Sequence, residues 1–524
     1  DKGIYHIIEH CVLSGSKKYN CKDPFKEIEK RSLSSYMNAI TFADKTIFPF
    51  TTVNKTDFYN VLDVYLDGIF NPLFVDNKEI IAKEGIHFEL QNGKIIPNGI
   101  VYNEMKGALS SPEDMLDSEI MRVLYPDTPY FHESGGDPKV IPELTYEAFL
   151  DFHRKYYHPS NCYIYLYGDM DMAEKLAWID EKYLSHYEYL EMDSSIALQK
   201  PFAKPVEKTV EYPVSEEETD DAQAYLSYST VVGTSLDADL YLAFQVLEYA
   251  LLSAPGAPLK KALLDAGIGK DILSSYENGI AQPYFSVIAK HAREDQKDEF
   301  MKVVRETLEG IVKNGFDRKA LLAGINYYEF RYREADFGNF PRGLMYGLQM
   351  FDSWLYDENQ PFLHLIALDR FAKMREKLDE GYFEALIRTW ILDNPHGALL
   401  VLKPVPGLEA KQQEALAEKL KAYKDSLPEE ELIALAAQTK ELKEYQDEPS
   451  PQADLEKIPM LAREDIKREA APFINEELNV EGTTVLHQNL FTSGINYIRL
   501  LFDAKEVPAD LIPYLGLLKH VLGY

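Results

Sequence analysis

An internal repeat constrains this fold more than any other feature. Residues 46–74, "TIFPFTTVNKTDFYNVLDVYLDGIFNPLF", alternate like a strand and pass into a helical period after Asn54. Residues 284–316, "YFSVIAKHAREDQKDEFMKVVRETLEGIVKNGF", have the same layout. A second helical stretch follows each of them, at 77–90 and 317–330. Further on, 146–169 and 382–404 each read as helix, Pro-containing turn and strand. Three matched pairs in one order define two copies of a strand-and-helix domain, 1–200 and 205–404. The expected class is α+β, with duplicated domains of mostly antiparallel sheet covered by helices.

The interval 405–470 is different: it is rich in Ala, Glu, Lys and Leu and reads as a helical hairpin linker. Ser426, three residues before Glu429, predicts a capping box opening its second helix. A third copy is expected to begin within 471–524, where "TSGINYIRLLFDAKEVPADLIPYLGLLKHVLGY" gives strand, loop and helix. In copy two a strand precedes the corresponding helix, at 222–253, whereas copy one starts at the helix itself. The expectation is therefore an internal piece of a longer protein, with the first strands of copy one lying upstream.

Composition excludes several function classes. The net charge is −31 and no basic stripe is present, which argues against nucleic-acid binding. Apolar runs such as "YLAFQVLEYALL" are interrupted well short of a membrane span. Three cysteines, Cys11, Cys21 and Cys162, cannot form a disulfide framework and suit a reducing soluble compartment such as the cytoplasm.

The chemistry is concentrated in "DKGIYHIIEHCVLSG". Four residues on an α-helix advance by about 400°, so His6 and His10 share a face and both imidazoles can reach one ion. Glu9, three residues after His6, lies on that face too. This is the inverted zinc-protease arrangement H-x-x-E-H. The competing reading is a pair of surface histidines beside a solvated carboxylate. The repeat argues against it. Aligned on its apolar frame, "HIIEHCVLSG" falls on "QVLEYALLSA", where Gln245 and Tyr249 replace the histidines and Glu248 matches Glu9. In the third copy Gly516 and Lys519 stand at the positions of His6 and Glu9, leaving His520 as a structural residue. The fold does not require the histidines, so they serve chemistry. A catalytic zinc site needs a third protein ligand and an open position. Spacing leaves Glu84, Glu89, Glu104, Glu113 and the other histidines open.

"GIYHIIEHCVLSGSKKYNCKDPF", "SLSSYMNAITFADKTIFPF", "GIVYNEMKGALSSPEDML" and "SGGDPKVIPELTYEAFLDFHRKYYHPSN" together resemble the pitrilysin and insulinase clan of zinc metallopeptidases, in its presequence protease (oligopeptidase) branch. The resemblance implies the metallopeptidase/mitochondrial-processing-peptidase type of domain. It implies Zn2+ held by His6, His10 and Glu104, the Glu of "YNEMKG", with Glu9 as general base. It implies extended peptides as substrates, added to an edge strand at Asn38 and Ala39, with Leu13, Phe25 and Ile28 near a pocket for the residue after the cut. The family completes its site with an Arg and a Tyr from a C-terminal half, absent from this sequence. Arg342 and Tyr346 lie in copy two and are not those residues. The expected function is a zinc endopeptidase of unstructured oligopeptides, weakly active or inactive without that half. The alternatives are a non-catalytic homologue acting as a peptide-binding or structural subunit, and an unrelated acidic scaffold.

Overall fold

The computed structural model describes residues 2–217, 222–470 and 472–522, in two units, Asp1–Ala470 and Ala471–Tyr524. The larger unit is built on a five-stranded sheet in copy two. Its order is Val206–Val214, Gly397–Pro406, Ala224–Val231, Tyr284–Ala292, Asp271–Glu277. Only the pairing of Gly397–Pro406 with Val206–Val214 is parallel. All residues of Ala224–Val231 are buried, as expected of a strand covered on both faces. Leu226 and Val401 pack on one face with Phe244, Val304 and Phe383 from the copy-two helices. Tyr225, Tyr284, Ile288 and Leu400 pack on the other with Leu116, Ile120 and Leu124 of the copy-one helix Pro112–Leu124. A helix from the first copy thus closes the sheet of the second.

Copy one has short strands only. Tyr36–Met37 pairs with Phe50–Thr51, Ile40–Thr41 with Thr46–Ile47, and His87–Gln91 with Lys94–Asn98. The strand expected at 46–51 is broken at Phe48-Pro49, where proline offers no backbone N–H to a ladder. Asn54 caps the following helix Lys55–Phe70, its side chain accepting the Asp57 N–H.

Three expectations need correction. Residues 162–167 form no ladder, because no strand among the described residues lies alongside them. Their period-2 pattern survives as packing. Ile164 and Leu166 face the cluster of Leu62, Leu66 and Phe70, while Tyr165 and Tyr167 lie close over Gly347 and Gly343 of the helix Arg342–Trp354. In the smaller unit, a hairpin of Glu476–Val480 and Thr483–His487 and a helix Ile512–Val521 are present, but 495–503 joins no ladder. The linker hairpin forms, Leu408–Ser426 and Glu429–Asp447, without the capping box. Ser426 ends the first helix, its Oγ donating to the Tyr423 carbonyl, and Pro428 takes the N-cap position of the second.

Between the copies lies a buried polar layer. Asp352, on Arg342–Trp354, accepts a 2.8 Å hydrogen bond from the Tyr241 hydroxyl, and burial pushes its carboxyl up to about 7. The folded chain therefore holds this proton from the ordinary carboxylate range up to about pH 7, whereas the unfolded chain releases it. Stability should fall as pH rises through that window, by on the order of 4 kcal/mol from this group. Asp352→Asn keeps an acceptor for Tyr241 and should flatten the profile. Denaturant melts of both chains at pH 5 and pH 8 check it; an unchanged pH dependence in the variant would refute the assignment.

Candidate metal centre

The helix Ile4–Leu13 buries Ile7, Ile8, Cys11 and Val12 completely. These residues face the cluster containing Phe74, Ile80, Val101 and Phe149. With that stripe inward, His6, Glu9 and His10 share the adjoining face. Their ligand-type atoms lie within 4.8 Å of one another. The imidazole centroids are 4.9 Å apart, with the rings edge-on at 78°.

Each imidazole is held by its Nδ1. His6 Nδ1 is 3.0 Å from the Gly135 carbonyl, and His10 Nδ1 is 3.3 Å from Glu84 Oε2. Both partners are acceptors, which assigns the proton to Nδ1 and leaves each Nε2 lone pair free. Both Nε2 atoms then face Glu104: Oε2 is 3.8 Å from His6 Nε2 and 3.7 Å from His10 Nε2. Zinc bonds of about 2.0–2.1 Å in a tetrahedral set put ligand atoms roughly 3.4 Å apart, so this donor set fits the ion with a small inward movement. Orientation of ligating imidazoles by backbone carbonyl and carboxylate is the usual second layer of such sites. The Glu104 side chain is 53% exposed, so the centre is open on its side.

The local sequence explains each placement. Glu104 sits on the helix Ile100–Ala108, which buries Val101, Tyr102 and Met105 and so presents Glu104 outward. A Cβ at position 135 would lie 2.4 Å from the Met105 Sδ, so any larger residue there would require the Met105 side chain to move aside. Glu84 is buried, and Ser14 Oγ and Lys83 Nζ donate to its Oε1 at 2.8 and 2.7 Å. Burial alone would raise the Glu84 pKa, but the hydrogen bonds from His10, Lys83 and Ser14 outweigh it and the net direction is down. Burial alone would lower the His10 pKa; the hydrogen bond and charge of Glu84 reverse that and hold it up. The Glu9 carboxyl is raised chiefly by burial, partly offset by a 2.5 Å hydrogen bond from the Thr41 hydroxyl.

The other carboxylates left open by spacing lie elsewhere. Glu89 bonds to His87, Gln91 and Asn98, and Glu113 to Tyr225 and Lys290. Asn38 is exposed and Ala39 half-buried, between the short strands Tyr36–Met37 and Ile40–Thr41. Leu13, Phe25 and Ile28 are not brought together as one pocket. Leu13 packs at the edge of one apolar cluster, Phe25 and Ile28 in another. Ile28 is 1% exposed, enclosed with Tyr19, Val61 and Tyr65. Arg342 donates to the Ala335 and Glu334 carbonyls, and Tyr346 packs on Tyr167 and Phe337, both structural duties in copy two. The sequence alone did not point to Gly135 or Thr41 as partners of the site. The glycine pair in "SGGDP" was the one available signal.

Residues 1–95 match the model of the insulinase family (peptidase family M16), 143–327 that of the peptidase M16 inactive domain, and 402–524 that of a region associated with the C branch of the same peptidase family. The chain belongs to the insulinase (M16) peptidase family. Among its relatives, the protein named HypA of Clostridium perfringens is 45% identical over 99% of this chain and 54% of its own length. Presequence protease 1, chloroplastic/mitochondrial, of Arabidopsis thaliana is 37% identical over 98% of this chain and 48% of its own length. The chain thus spans about half the length of these relatives. The fold is shared with the peptidase M16 inactive domain of Pseudomonas fluorescens, at a TM-score of 0.56, 16% identity and coverage of 77% of this chain and 88% of that one. It is shared too with the periplasmic protease PqqL of Escherichia coli, at 0.51 and 16%, over 93% of this chain and 50% of that one. No helix among the described residues is long and apolar enough to cross a membrane.

Proposed function

We propose that this chain is the metal-bearing part of a zinc endopeptidase that hydrolyses unstructured oligopeptides. The observation that carries the reading is the convergence of His6 Nε2 and His10 Nε2 on Glu104 Oε2 while both Nδ1 atoms are tied behind them. His6, His10 and Glu104 would hold the ion, which supplies Lewis acidity for activating water and polarising a carbonyl. Glu9 accepts the proton of the attacking water and returns it to the leaving amine. Thr41 fixes one of its oxygens and leaves the other for this transfer. Among the described strands the segment Tyr36–Thr41 is laddered only to 46–51, so its other edge can take an extended peptide through backbone hydrogen bonds, with Asn38 and Ala39 at its centre. That mode places little demand on side chains, and names such as presequence protease among the relatives agree with a peptide substrate. A C-terminal half of the same protein is the expected partner, supplying the remaining transition-state contacts. The three cysteines are free, which suits a reducing compartment.

A non-catalytic binding subunit is the second reading. Copy two shows what such a copy does with these positions: Tyr249 stacks on Tyr327 at 4.7 Å and Gln245 is half-buried with its Oε1 turned inside. The histidines of copy one are not used in that way.

Metal analysis of the purified chain should find about one zinc per chain. Cleavage of an unstructured peptide should stop with a chelator, resume with zinc, and be much slower than with the C-terminal half present. A chain that stays metal-free in excess zinc would refute the reading, and equal turnover with and without that half would refute the need for it.

A further inference from the structure

Thr41, which holds Glu9, belongs to a hairpin whose tip is planted in the other copy. Ile40–Thr41 pairs with Thr46–Ile47, and the Phe42 N–H donates to the Lys45 carbonyl at 2.8 Å to close the turn. The two residues at the tip are charged yet buried: the Asp44 side chain is 1% exposed and that of Lys45 7%. Exposed turns are where charged residues normally sit, so this burial needs a reason.

The reason lies in their partners. Lys45 Nζ donates to Asp44 Oδ1 at 3.1 Å and to the Gly279 carbonyl of copy two at 2.9 Å. Asp44 Oδ2 accepts from the Tyr130 hydroxyl at 2.7 Å and from the Tyr356 hydroxyl of copy two at 2.5 Å. The Tyr130 oxygen in turn accepts the Ala281 N–H of copy two at 3.0 Å. A buried ion pair satisfied from several elements adds little stability over an apolar plug, but it fixes register, because any slip leaves a charge unpaired. At the other end of the hairpin, Thr41 Oγ1 donates to Glu9 Oε2 at 2.5 Å and lies 3.1 Å from Thr46 Oγ1, from which it accepts.

We propose that the second copy sets the orientation of the Glu9 carboxylate, through the Asp44–Lys45 anchor and the Thr41 hydroxyl. Thr41, Asp44 and Lys45 are positioning residues on this account, and it rests on the zinc-peptidase reading. It also gives the metal-free copy a duty in the reaction: it holds the hairpin that aims the base. The general consequence is that substitutions at the far end of the hairpin should be felt at Glu9 without disturbing the two ligand imidazoles, which are fixed separately by Gly135 and Glu84.

The test uses a peptide hydroxamate, a zinc chelator whose N–H and O–H also bond to the base beside the metal, and the same peptide without that group. Binding is measured by calorimetry on the full chain, together with zinc content. Thr41→Val should weaken hydroxamate binding by about tenfold more than it weakens binding of the plain peptide, one hydrogen bond's effect, with zinc content unchanged. Thr41→Ser, which restores the hydroxyl, should bind as the parent does. Tyr356→Phe removes a single hydroxyl from the anchor in copy two without opening a cavity, and should give a similar loss. The two losses should not multiply in the double variant, since both act on one contact. Hydroxamate affinity within twofold of the parent in both single variants overturns the proposal, and so does a double variant with the product of the two losses. If the parent itself binds neither zinc nor hydroxamate, the peptidase reading falls and this inference with it. Failure confined to the variants sinks the inference alone.

Discussion

Glu9→Gln is expected to bind zinc as the parent does and to lose peptide turnover by roughly 10²–10⁴-fold, the range of a positioned general base. The substitution is close to isosteric. Its amide oxygen can still accept the Thr41 hydroxyl, so the hairpin has no cause to move. What it loses is the ability to take a proton. The Glu9 side chain is well placed for that work: it is 6% exposed, and burial holds its carboxyl above the ordinary range, which makes the carboxylate a stronger base than a solvated one. It does not touch Gly135 or Glu84, the groups that orient the two imidazoles. Metal content by mass spectrometry and single-turnover cleavage, with the C-terminal half present, separate the two effects. Full turnover by the variant would remove Glu9 from the mechanism, and loss of zinc would make it a ligand.

What the sequence disclosed follows from the range of each interaction. The helix carrying His6, Glu9 and His10 is local, so its 3.6-residue period was enough to put the three on one face. Glu104 lies on a different helix, and no period connects the two. Spacing left several carboxylates open and the family resemblance alone singled one out. The orienting groups are harder still. Gly135 acts through a backbone carbonyl, and Thr41 through a turn buried in copy two. Apart from the glycine pair at 135–136, neither role leaves a pattern in the residue types nearby. The repeat was read from strand and helix periods that recur in the same order along the chain. Yet the period predicts a strand's side-chain faces and not its partners. Residues 162–167 show this, alternating between two packed surfaces with no ladder beside them. Ser426 failed as a cap for a similar reason. The capping residues were right in type and spacing, but Pro428 sits between them and fixes the start of the second helix at Glu429.

Zinc affinity should fall in a set order across the two carboxylates near His10. Both lie within 4 Å of this ring, on opposite nitrogens: Glu84 at Nδ1 and Glu104 at Nε2. Only the second can share an ion with His6, because His6 Nε2 also faces Glu104 while Glu84 is engaged by Ser14 and Lys83. His10→Ala and Glu104→Gln should therefore each abolish stoichiometric zinc. Glu84→Gln should retain it with affinity lower by roughly 10–100-fold, the usual effect of losing a ligand's orienting partner. A Gln there can still accept the Nδ1 proton, but it brings no negative charge to raise the basicity of the ring. Titration against a competing chelator at about pH 7.5 measures all three variants on one scale. If Glu84→Gln loses the metal as completely as His10→Ala while Glu104→Gln keeps it, the two carboxylates have been assigned the wrong way round. The ion would then have to sit on the Nδ1 side of His10, where the His6 ring, tied by its own Nδ1 to Gly135, presents no free nitrogen to it.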